Sequence, residues 1–402
     1  MMKEICQHNE CTGCSACVNV CGKNAIFYCE DKIGFRYPVV NLDLCIDCGL
    51  CQKVCPNNVE VDKSEPTLCF VGHATDRSEQ ETSSSGGIAS LLSRTIIRQG
   101  GVVYGCTARD ISHVQHIRVN NDDDLFLLKG SKYVQSDLGD CYKRIKVDLH
   151  SNLQVIFIGT PCQIAGLRTY LRKDYENLVT IDFVCHGVPS QIILNESLRT
   201  KTNENLRECT LSFRCKIKNG KKIDSKYGLF LDNKKGQSVY NGMHPKDMYI
   251  AGFLSALYYR ESCYQCKYAT SERVSDITVG DYADRDSEYS QLSGSDFLLS
   301  MITLNTQKGE KLFADLNETV EIAPIEYSKL VAVQGQLRMP MKRHPNRDKF
   351  SDLFQNADFE KDVKLLISND LKRIAKITRK TRIREILFHI PFMKHYLNQR
   401  NK

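Results

Sequence analysis

The chain from Thr67 onward alternates between short apolar runs and longer segments with apolar residues at helical spacing. The apolar runs, which are typical of buried strands, span residues 68–73, 101–106, 153–158 and 178–184. The helical segments run from a turn at 83–87 to about Gln99, over 140–149, and from Pro161 to about Lys173. Strand, tight turn and helix repeated in this order predict an α/β core with a mixed, partly parallel sheet.

The pattern changes beyond residue 190. Runs at 210–217 and 227–232 predict antiparallel strands that extend away from the core. Residues 248–258 have helical spacing, and the segments 276–280 and 297–304 again have strand character. Short strands are also expected within residues 25–40. We therefore expect three parts, an N-terminal module at 1–59, an α/β domain at 67–325, and a helical tail at 340–402. A charged, proline-containing linker joins the first two parts.

The tail combines helical periodicity with basic charge. Apolar residues recur at helical spacing from Leu371 to Ile390, lysines and arginines lie between them, and Pro391 ends the run. Two interpretations stay open. The helix packs on the body of the protein, or it makes peripheral contact with an anionic membrane, where each nearby Lys or Arg contributes about 1 kcal/mol.

Composition excludes several classes of protein. The chain has 402 residues, 42% of them apolar, which is ample for a buried core. Its net charge of +7 comes from residues 371–402, which contain ten Lys and Arg and one acidic residue, so the basic charge does not indicate nucleic-acid binding. No run approaches the ~20 apolar residues of a membrane-spanning helix. The N-terminus has no secretory pattern, and nineteen largely ligand-spaced cysteines favour the reducing cytoplasm.

Two cysteine runs, at 11–21 and 45–55, share the spacing C-x2-C-x2-C-x3-C. This is the spacing of bacterial ferredoxins with two 4Fe–4S clusters, in which the fourth cysteine of each run binds the other cluster. Repetition of the spacing makes zinc or disulfides poor alternatives. The ligands predicted for one cluster are Cys11, Cys14, Cys17 and Cys55, and those for the other are Cys21, Cys45, Cys48 and Cys51. We expect Cys29 to be a packed side chain and Cys6 to be a packing or surface thiol.

Four further cysteines have settings typical of ligands. Cys162 and Cys185 follow predicted strands, where sites form in α/β sheets, and Cys263 and Cys266 form a C-x2-C pair. Such a pair alone is weak, because zinc sites, redox thiols and ordinary packing all use it. Together the four residues predict a four-thiolate site, and the alternative is that some of them are buried thiols.

Several motifs in the core resemble those of a known family. They are Ser84-Ser85-Gly86-Gly87, the segments 129–136, 159–163 and 185–190, and Cys263-x2-Cys266 followed by residues 273–281. Together they are similar to the family of coenzyme F420 hydrogenase/dehydrogenase beta subunits over residues 1–320. The resemblance implies FAD in the core, and it implies a third 4Fe–4S cluster on Cys162, Cys185, Cys263 and Cys266.

The resemblance also suggests where FAD would bind. A Ser/Gly turn that begins a helix offers N–H groups and the positive end of the helix dipole to a pyrophosphate. Lys132 could place positive charge near the flavin. The predicted contacts are Ser84, Ser85, Gly86, Gly87, Ser131 and Lys132. The alternative is a turn that only caps its helix.

These features predict an FAD- and 4Fe–4S-dependent oxidoreductase. It would relay electrons between a one-electron carrier, ferredoxin or another redox protein, and a small-molecule substrate at the flavin. The alternatives are an electron-transfer beta subunit of a hydrogenase or formate dehydrogenase complex, and a non-catalytic iron–sulfur scaffold or sensor. The expected location is the cytoplasm, with peripheral contact at the inner face of the membrane as an option. The sequence leaves open the catalytic residues, the substrate and the direction of electron flow.

Overall fold

The computed structural model describes residues 4–219, 222–282, 289, 292, 298–354 and 358–388. It contains an N-terminal module with a two-stranded sheet, an eight-stranded mixed sheet with helices on both faces, and a three-stranded antiparallel sheet. The predicted fold class, a ferredoxin-like module in front of an α/β core with a mixed sheet, is confirmed.

The helices and strands have the following bounds. The helices are α1 (Ala16–Val20), α2 (Leu50–Lys53), α3 (Arg77–Thr82), α4 (Ile88–Arg98), α5 (Cys141–His150), α6 (Pro161–Leu171), α7 (Gln191–Arg199), α8 (Met248–Leu254), α9 (Gln307–Ala314), α10 (Tyr327–Val333), α11 (Arg347–Leu353), α12 (Phe359–Leu366) and α13 (Ser368–Phe388). The strands are β1 (Ile26–Glu30), β2 (Arg36–Val40), β3 (Leu68–Ala74), β4 (Val102–Thr107), β5 (Gln115–Val119), β6 (Val155–Gly159), β7 (Leu178–Phe183), β8 (Cys209–Asn219), β9 (Lys222–Asn233), β10 (Ser238–Met243), β11 (Ile277–Tyr282), β12 (Leu299–Leu304) and β13 (Val320–Pro324).

The large sheet has the strand order β13-β3-β12-β11-β7-β6-β4-β5. Its four central strands, β11, β7, β6 and β4, are parallel, and the outer pairs are antiparallel. The carboxyl ends of the central strands therefore lie at one edge, and β3, which runs in the same direction, ends there too. As expected for such a sheet, this edge gathers the turns that carry the predicted core site residues.

Residues that alternate along the central strands face opposite helical layers. Ile156 of β6 packs in a cluster with α4 and α9, whereas the adjacent Phe157 packs with α5 and α6. Because both faces of the sheet are covered, the strands are continuous apolar runs, which is why they were recognisable in the sequence.

The N-terminal module is seated on this core along two of its sides. Ala16 and Val54 belong to the buried cluster of α5 and α6, and Phe35 and Tyr37 belong to the cluster that contains α7 and α8. Burial on two sides fixes the position of the cysteine loops relative to the core.

Several expectations about the second half need correction. The helix predicted over 248–258 ends at Leu254, because Ala256 has a left-handed backbone (φ 54°) and the Leu257 N–H bonds back to the Gly252 carbonyl. β8 and β9 are longer than predicted, because their ladder continues through lysine-rich positions that interrupt the apolar pattern. β5 and β13, at the two edges of the sheet, were not predicted.

The predicted basic tail has two different parts. Phe350, Phe359 and Val363 of α11 and α12 are buried in the cluster that contains α8, so this part is integral to the core. α13 extends from that packed region, and its residues 375–380 are exposed. The predicted end at Pro391 lies outside the described residues. Within the part of the chain that the structure describes, no helix has the length and apolarity needed to cross a membrane.

Candidate functional site

The two cysteine loops of the N-terminal module have the same backbone conformation. Left-handed residues occur two and four positions after the first cysteine of each loop, at Gly13 (φ 69°) and Ser15 (φ 65°), and at Asp47 (φ 53°) and Gly49 (φ 70°). Non-glycine residues adopt this region uncommonly. Each loop then leads into a short helix, α1 or α2. Alternation of this kind turns successive N–H groups inward, as in sites that bind anions and iron–sulfur clusters.

One set of four cysteines is brought together in the interior. Cys11, Cys14, Cys17 and Cys55 line a single cavity, and each is between 7% and 9% exposed. These are the residues that the sequence assigned to one cluster, three from the first loop and one from the second. We call them the inner group.

The other predicted set lies nearer the surface, and we call it the outer group. Cys21, Cys45 and Cys51 are partly buried against the apolar cluster that also contains Cys17 and Cys55, and Cys48 is exposed. Three exposed apolar side chains flank this loop, Leu42, Leu44 and Ile46, with exposed fractions of 54%, 52% and 64%. The module therefore has one interior and one peripheral thiol group.

A third group forms on the core. Cys162 at the start of α6 and Cys185 after β7 both interact electrostatically with Cys263 and Cys266, which follow α8. We call these four residues the core group. Burial raises the pKa of Cys162 and of Cys263 to about 12. Thiols in this environment become thiolates most readily when they coordinate a metal. Among the described residues, no set of three or more His, Cys, Asp or Glu has the spacing for one metal ion.

The inner group and the core group are adjacent. Cys14 interacts electrostatically with Cys162 across the interface between module and core. Gly166 of α6 makes this approach possible, because a Cβ atom there would lie 2.8 Å from the Cys14 Cβ and 2.9 Å from its Sγ. Tyr268 has thiols of both groups as neighbours.

Arg260, a residue that the sequence did not single out, joins these two groups. It is 1% exposed, and its Nε donates to the Cys11 carbonyl at 2.6 Å while Nη2 lies 3.5 Å from the Cys11 Sγ. The other N–H groups donate to the Arg36 carbonyl at 3.0 Å and to the Gln135 side chain at 3.2 Å. Its own carbonyl accepts from the Cys263 N–H at 2.9 Å. The only sequence signal for it is a basic residue close to a C-x2-C pair.

The two segments predicted to bind FAD meet at the edge of the sheet, since the Ser131 N–H donates to Ser84 Oγ at 2.8 Å. Most donors of these segments already have protein partners. Ser85 Oγ donates to the Leu299 carbonyl at 3.0 Å, and the Gly86 N–H donates to Ser300 Oγ at 2.9 Å. Gly87 adopts a left-handed conformation (φ 87°) at the start of α4. The turn is therefore bound to β12 and is not an open set of N–H groups.

The Lys132 side chain also makes hydrogen bonds within the protein. Its Nζ donates to the carbonyls of Leu128 and Lys129 at 2.9 and 2.8 Å, and burial lowers its pKa to about 8. This geometry supports the loop that contains Ser131.

A charged group that the sequence did not reveal lies beside this turn. The Glu79 carboxylate is 2% exposed and contacts Lys129 Nζ at 2.7 Å and Arg94 Nη1 at 3.1 Å. Burial acts to raise the pKa of Glu79, but Lys129 and Arg94 hold it below its usual value. Lys216 of β8 donates to the Gln80 carbonyl in the same region. Two cations thus contact the Glu79 carboxylate, and Lys216 lies nearby with Glu81 among its charged neighbours.

Polar groups connect the core group to this region. His186 follows Cys185, and burial lowers its pKa while the charge of Asp281 opposes that shift. Asp281 pairs with Arg214 Nη1 at 2.5 Å, and the Arg214 guanidinium lies 4.7 Å from the centre of the Tyr227 ring.

The motif at 273–281 has a structural role. Arg273 Nη2 donates to Asp182 at 2.8 Å, and Asp276 Oδ2 accepts from the Thr180 N–H at 2.7 Å. These buried bonds hold β11 and the segment before it against β7. Among the thiols outside the three groups, Cys29 is exposed, so its prediction as a packed side chain is wrong. It projects from the short β1–β2 hairpin, which does not cover it.

Two family models match the chain. Residues 10–59 match a 4Fe-4S dicluster domain, and residues 153–328 match the model for the C terminus of the coenzyme F420 hydrogenase/dehydrogenase beta subunit. Residues 153–328 therefore carry the C-terminal domain type of these beta subunits, behind a 4Fe-4S dicluster domain. The resemblance seen in the sequence is confirmed at the level of these two domains, which support an iron–sulfur oxidoreductase.

Curated relatives match along most of the chain. It is 22% identical over 375 residues to the F subunit of the F(420)H(2) dehydrogenase of Methanosarcina mazei, a match covering 90% of this chain and 97% of that protein. It is 24% identical over 375 residues to the coenzyme F420-dependent sulfite reductase of Methanocaldococcus jannaschii, covering 89% of this chain and 54% of the reductase. A chain of the F420-reducing [NiFe] hydrogenase complex of Methanosarcina barkeri matches with a TM-score of 0.46 and 16% identity, over 78% of this chain and 92% of that one.

Proposed function

We propose that the protein passes electrons between an external one-electron carrier and a two-electron reaction site on the α/β core. The outer and inner groups hold two 4Fe–4S clusters, and the core group holds a third. When bound, these clusters supply one-electron steps, and FAD exchanges a hydride with the substrate.

The observation that carries the proposal is the contact of Cys14 with α6, the helix that carries Cys162. Cys14 packs on Gly166, one turn from Cys162, and interacts electrostatically with Cys162, so thiols predicted as ligands from two separate sequence regions are neighbours. A ferredoxin module bound elsewhere on the core would leave its inner group isolated. The contact gives electrons a short path from the module to the edge of the sheet.

The outer group is the proposed contact for the redox partner. Cys48 is exposed, and Leu42, Leu44 and Ile46 form an apolar surface around it. Exposed apolar patches mark interaction sites on soluble proteins. A ferredoxin-like carrier docked there would bring its own redox centre close to the outer group.

We propose that FAD binds near Ser84–Gly87, Ser131 and Lys132, but with its pyrophosphate held by side-chain cations. Because the turn's hydrogen bonds are made within the protein, Lys129, Arg94 and Lys216 are better placed to attract the pyrophosphate charge than the glycine N–H groups. The site fits an anionic group through its excess of cations. Arg214, Asp281 and His186 lie between this region and Cys185 and could orient the substrate.

The relatives favour one alternative for the assembly. They are named as a component of F(420)H(2) dehydrogenase and as a coenzyme F420-dependent sulfite reductase, so the chain is proposed to act as an electron-transferring beta subunit, with a deazaflavin coenzyme as its candidate substrate. Co-purification of a large metal-containing subunit would support this assignment. Steady turnover by the isolated chain would support an independent enzyme.

We also propose that the protein is located in the cytoplasm, with peripheral contact at the membrane. Cysteines predicted to be metal ligands are best maintained in the reducing cytoplasm. The exposed, basic residues of α13 suit peripheral contact with an anionic membrane.

The function is tested on anaerobically purified protein. Extraction and quantification of the released flavin test whether the protein binds FAD. Bleaching of the visible absorbance by a reduced ferredoxin or viologen tests whether the protein takes up electrons. The proposal predicts about one FAD per chain and rapid bleaching, followed by recovery when a deazaflavin or flavin acceptor is added. Protein that lacks flavin and is not bleached would contradict the proposal.

A further inference from the structure

Five thiols line the cavity of the inner group. Cys6 lies in the cavity wall together with Cys11, Cys14, Cys17 and Cys55. Its thiol interacts electrostatically with both the Cys11 and the Cys55 thiols across that cavity. A 4Fe–4S cluster takes four cysteine ligands, so one thiol of this cavity is in excess. Cys6 lies outside the ferredoxin spacing, which is why the sequence placed it among packing or surface thiols.

The segment that carries Cys6 is held in place by the segment that carries Cys55. Side-chain amides of residues 52–58 donate to three backbone carbonyls of residues 4–10. The bonds are Gln52 to Glu4 (3.0 Å), Asn58 to Ile5 (2.8 Å) and Asn57 to Glu10 (2.7 Å).

Packing adds to these hydrogen bonds. Ile5 is 5% exposed and belongs to the apolar cluster of Cys17 and Cys55, and the His8 ring stacks on Tyr37 with centroids 3.7 Å apart. The position of Cys6 in the cavity is therefore set by the fold and is not the chance position of a terminal residue.

We propose that Cys6 and Cys55 are alternative ligands for one corner of the cluster that Cys11, Cys14 and Cys17 also hold. Cys55 is the exchanging partner because Cys11 is fixed by Arg260, whose Nη2 lies 3.5 Å from the Cys11 sulfur. The inference rests on the proposed cluster at the inner group and is independent of FAD and of the core group.

The exchange needs no external reagent. The Cys6 thiol gives its proton to the Cys55 thiolate, the Cys6 sulfur forms a bond to iron, and the bond between Cys55 and iron breaks. No iron changes oxidation state. Because both thiols line the same cavity, the proton has only a short distance to cross.

The test compares iron and sulfide content in anaerobically purified full-length variants. Cys6→Ala and Cys55→Ala are each expected to keep the wild-type content, because the other thiol completes the site. The double variant is expected to lose about four irons per chain, the content of one cluster. As a matched control, Cys29→Ala/Cys55→Ala removes an exposed thiol of the same module and should keep the content of Cys55→Ala.

Loss of four irons from Cys55→Ala alone, or equal content in Cys55→Ala and the double variant, would overturn the inference. Wild-type protein without iron would instead refute the proposed function. A second measurement applies to variants that give too little purified protein for iron and sulfide counts. Alkylation of the intact iron-loaded protein followed by mass spectrometry should label Cys29 throughout and should leave Cys6 unlabelled in Cys55→Ala. Cys6 labelled to the same extent as Cys29 in that variant would also contradict the exchange.

Discussion

At the scale of single residues, Arg260 determines the electrostatics between the module and the core. It is a fully buried guanidinium whose neighbours of opposite charge type are Cys11, Tyr37 and Cys263. Its bonds go to backbone carbonyls, an amide and the Cys11 sulfur. Hydrogen bonds and charges near the sulfurs set the potential of an iron–sulfur cluster. Arg260 is thus a positioning and tuning residue for the cluster that we assign to the inner group.

The first prediction concerns this charge. Arg260→Gln should lower the reduction potential of the inner cluster by on the order of 100 mV, because the reduced cluster is more negative and loses a nearby cation. Two unit charges about 6 Å apart interact by about 3 kcal/mol at an effective dielectric constant of about 20. About 2.3 kcal/mol corresponds to about 100 mV for one electron. A redox titration followed by electron paramagnetic resonance measures the shift.

Two variants separate charge from geometry in that titration. Arg260→Lys retains a cation but loses the planar fork, so its shift should be smaller. Arg36→Gln is the matched control, because Arg36 is on the same module but is 39% exposed and pairs with Asp137 at 2.6 Å. Equal potentials in wild type and Arg260→Gln would contradict the role assigned to Arg260.

The second prediction concerns pH and Lys216. Burial, followed by the neighbouring charge of Arg214, lowers the pKa of Lys216 to about 8. The amine is charged below this pKa and neutral above it, so FAD affinity should fall as pH rises from about 7 to about 9.5. A loss of about 1 kcal/mol, roughly fivefold in Kd, is expected from one partly exposed cation.

Fluorescence titration of flavin into flavin-depleted protein at both pH values measures this effect. Lys216→Met should bind weakly at the lower pH and show a flatter pH profile. Lys234→Met removes an exposed lysine that pairs with Glu208 at 3.0 Å and should match the wild type. A pH profile that is identical in wild type and Lys216→Met would exclude Lys216 from the FAD site.

These residues also show what sequence can and cannot predict. The eight module cysteines were recognisable because the spacing of ligands is visible within a short stretch of sequence. Cys162 and Cys185 were recognisable because the end of a strand is also visible within a short stretch. Arg260, Glu79 and Lys216 were not, because their roles depend on partners up to 249 residues away along the chain. A lone arginine or lysine has no spacing that indicates such a partner.

At the scale of secondary-structure elements, α6 joins the module to the core. Its capping box at Thr160 and Pro161 at its first turn set where the helix starts. Cys162 is thereby placed at the amino end, and Gly166, one turn later, faces Cys14. The strand–turn–helix pattern predicted this helix, but the close contact through Gly166 depended on where the module sits.

The third prediction tests this contact. A Gly→Ala substitution inside a helix normally raises the free energy of unfolding of a protein by roughly 0.5–1 kcal/mol. Gly166→Ala should instead destabilise by about 1–3 kcal/mol, because the new methyl group would overlap Cys14. Anaerobic urea unfolding, followed by the loss of visible absorbance, measures the change.

Gly22→Ala is the matched control for Gly166→Ala. Gly22 lies in the same module as Cys14, and no atom lies within 4 Å of the Cβ it would gain. We expect its urea midpoint to stay close to the wild-type value. A Gly166→Ala variant as stable as the wild type would mean that α6 and the Cys14 loop do not make the close contact described.

At the scale of the whole molecule, the thiol groups are ordered from the surface to the edge of the sheet. The outer group lies nearest the surface, with Cys48 exposed, the inner group is buried where the module meets the core, and the core group lies at the sheet edge that carries the predicted FAD segments. The three groups were predictable from cysteine spacing and strand ends. Their order was not, because it follows from how the module packs on α6 and α8.

The fourth prediction concerns the basic end of the chain. Protein truncated before Leu371 should lose binding to vesicles with anionic lipids, because it lacks ten Lys and Arg. Full-length protein should float with anionic vesicles at low salt and should not float with neutral vesicles. Equal flotation of both proteins would refute membrane contact by the tail without affecting the electron path.

Iron and sulfide counts on wild type and Cys185→Ala test whether the core group adds a third cluster to the two of the module. We expect about twelve irons in the wild type, four for each of three clusters, and about eight in Cys185→Ala. Cys209→Ala, which removes a buried thiol outside the three groups, should retain the wild-type content. A wild type with only about eight irons, unchanged in Cys185→Ala, would contradict a third cluster on the core group.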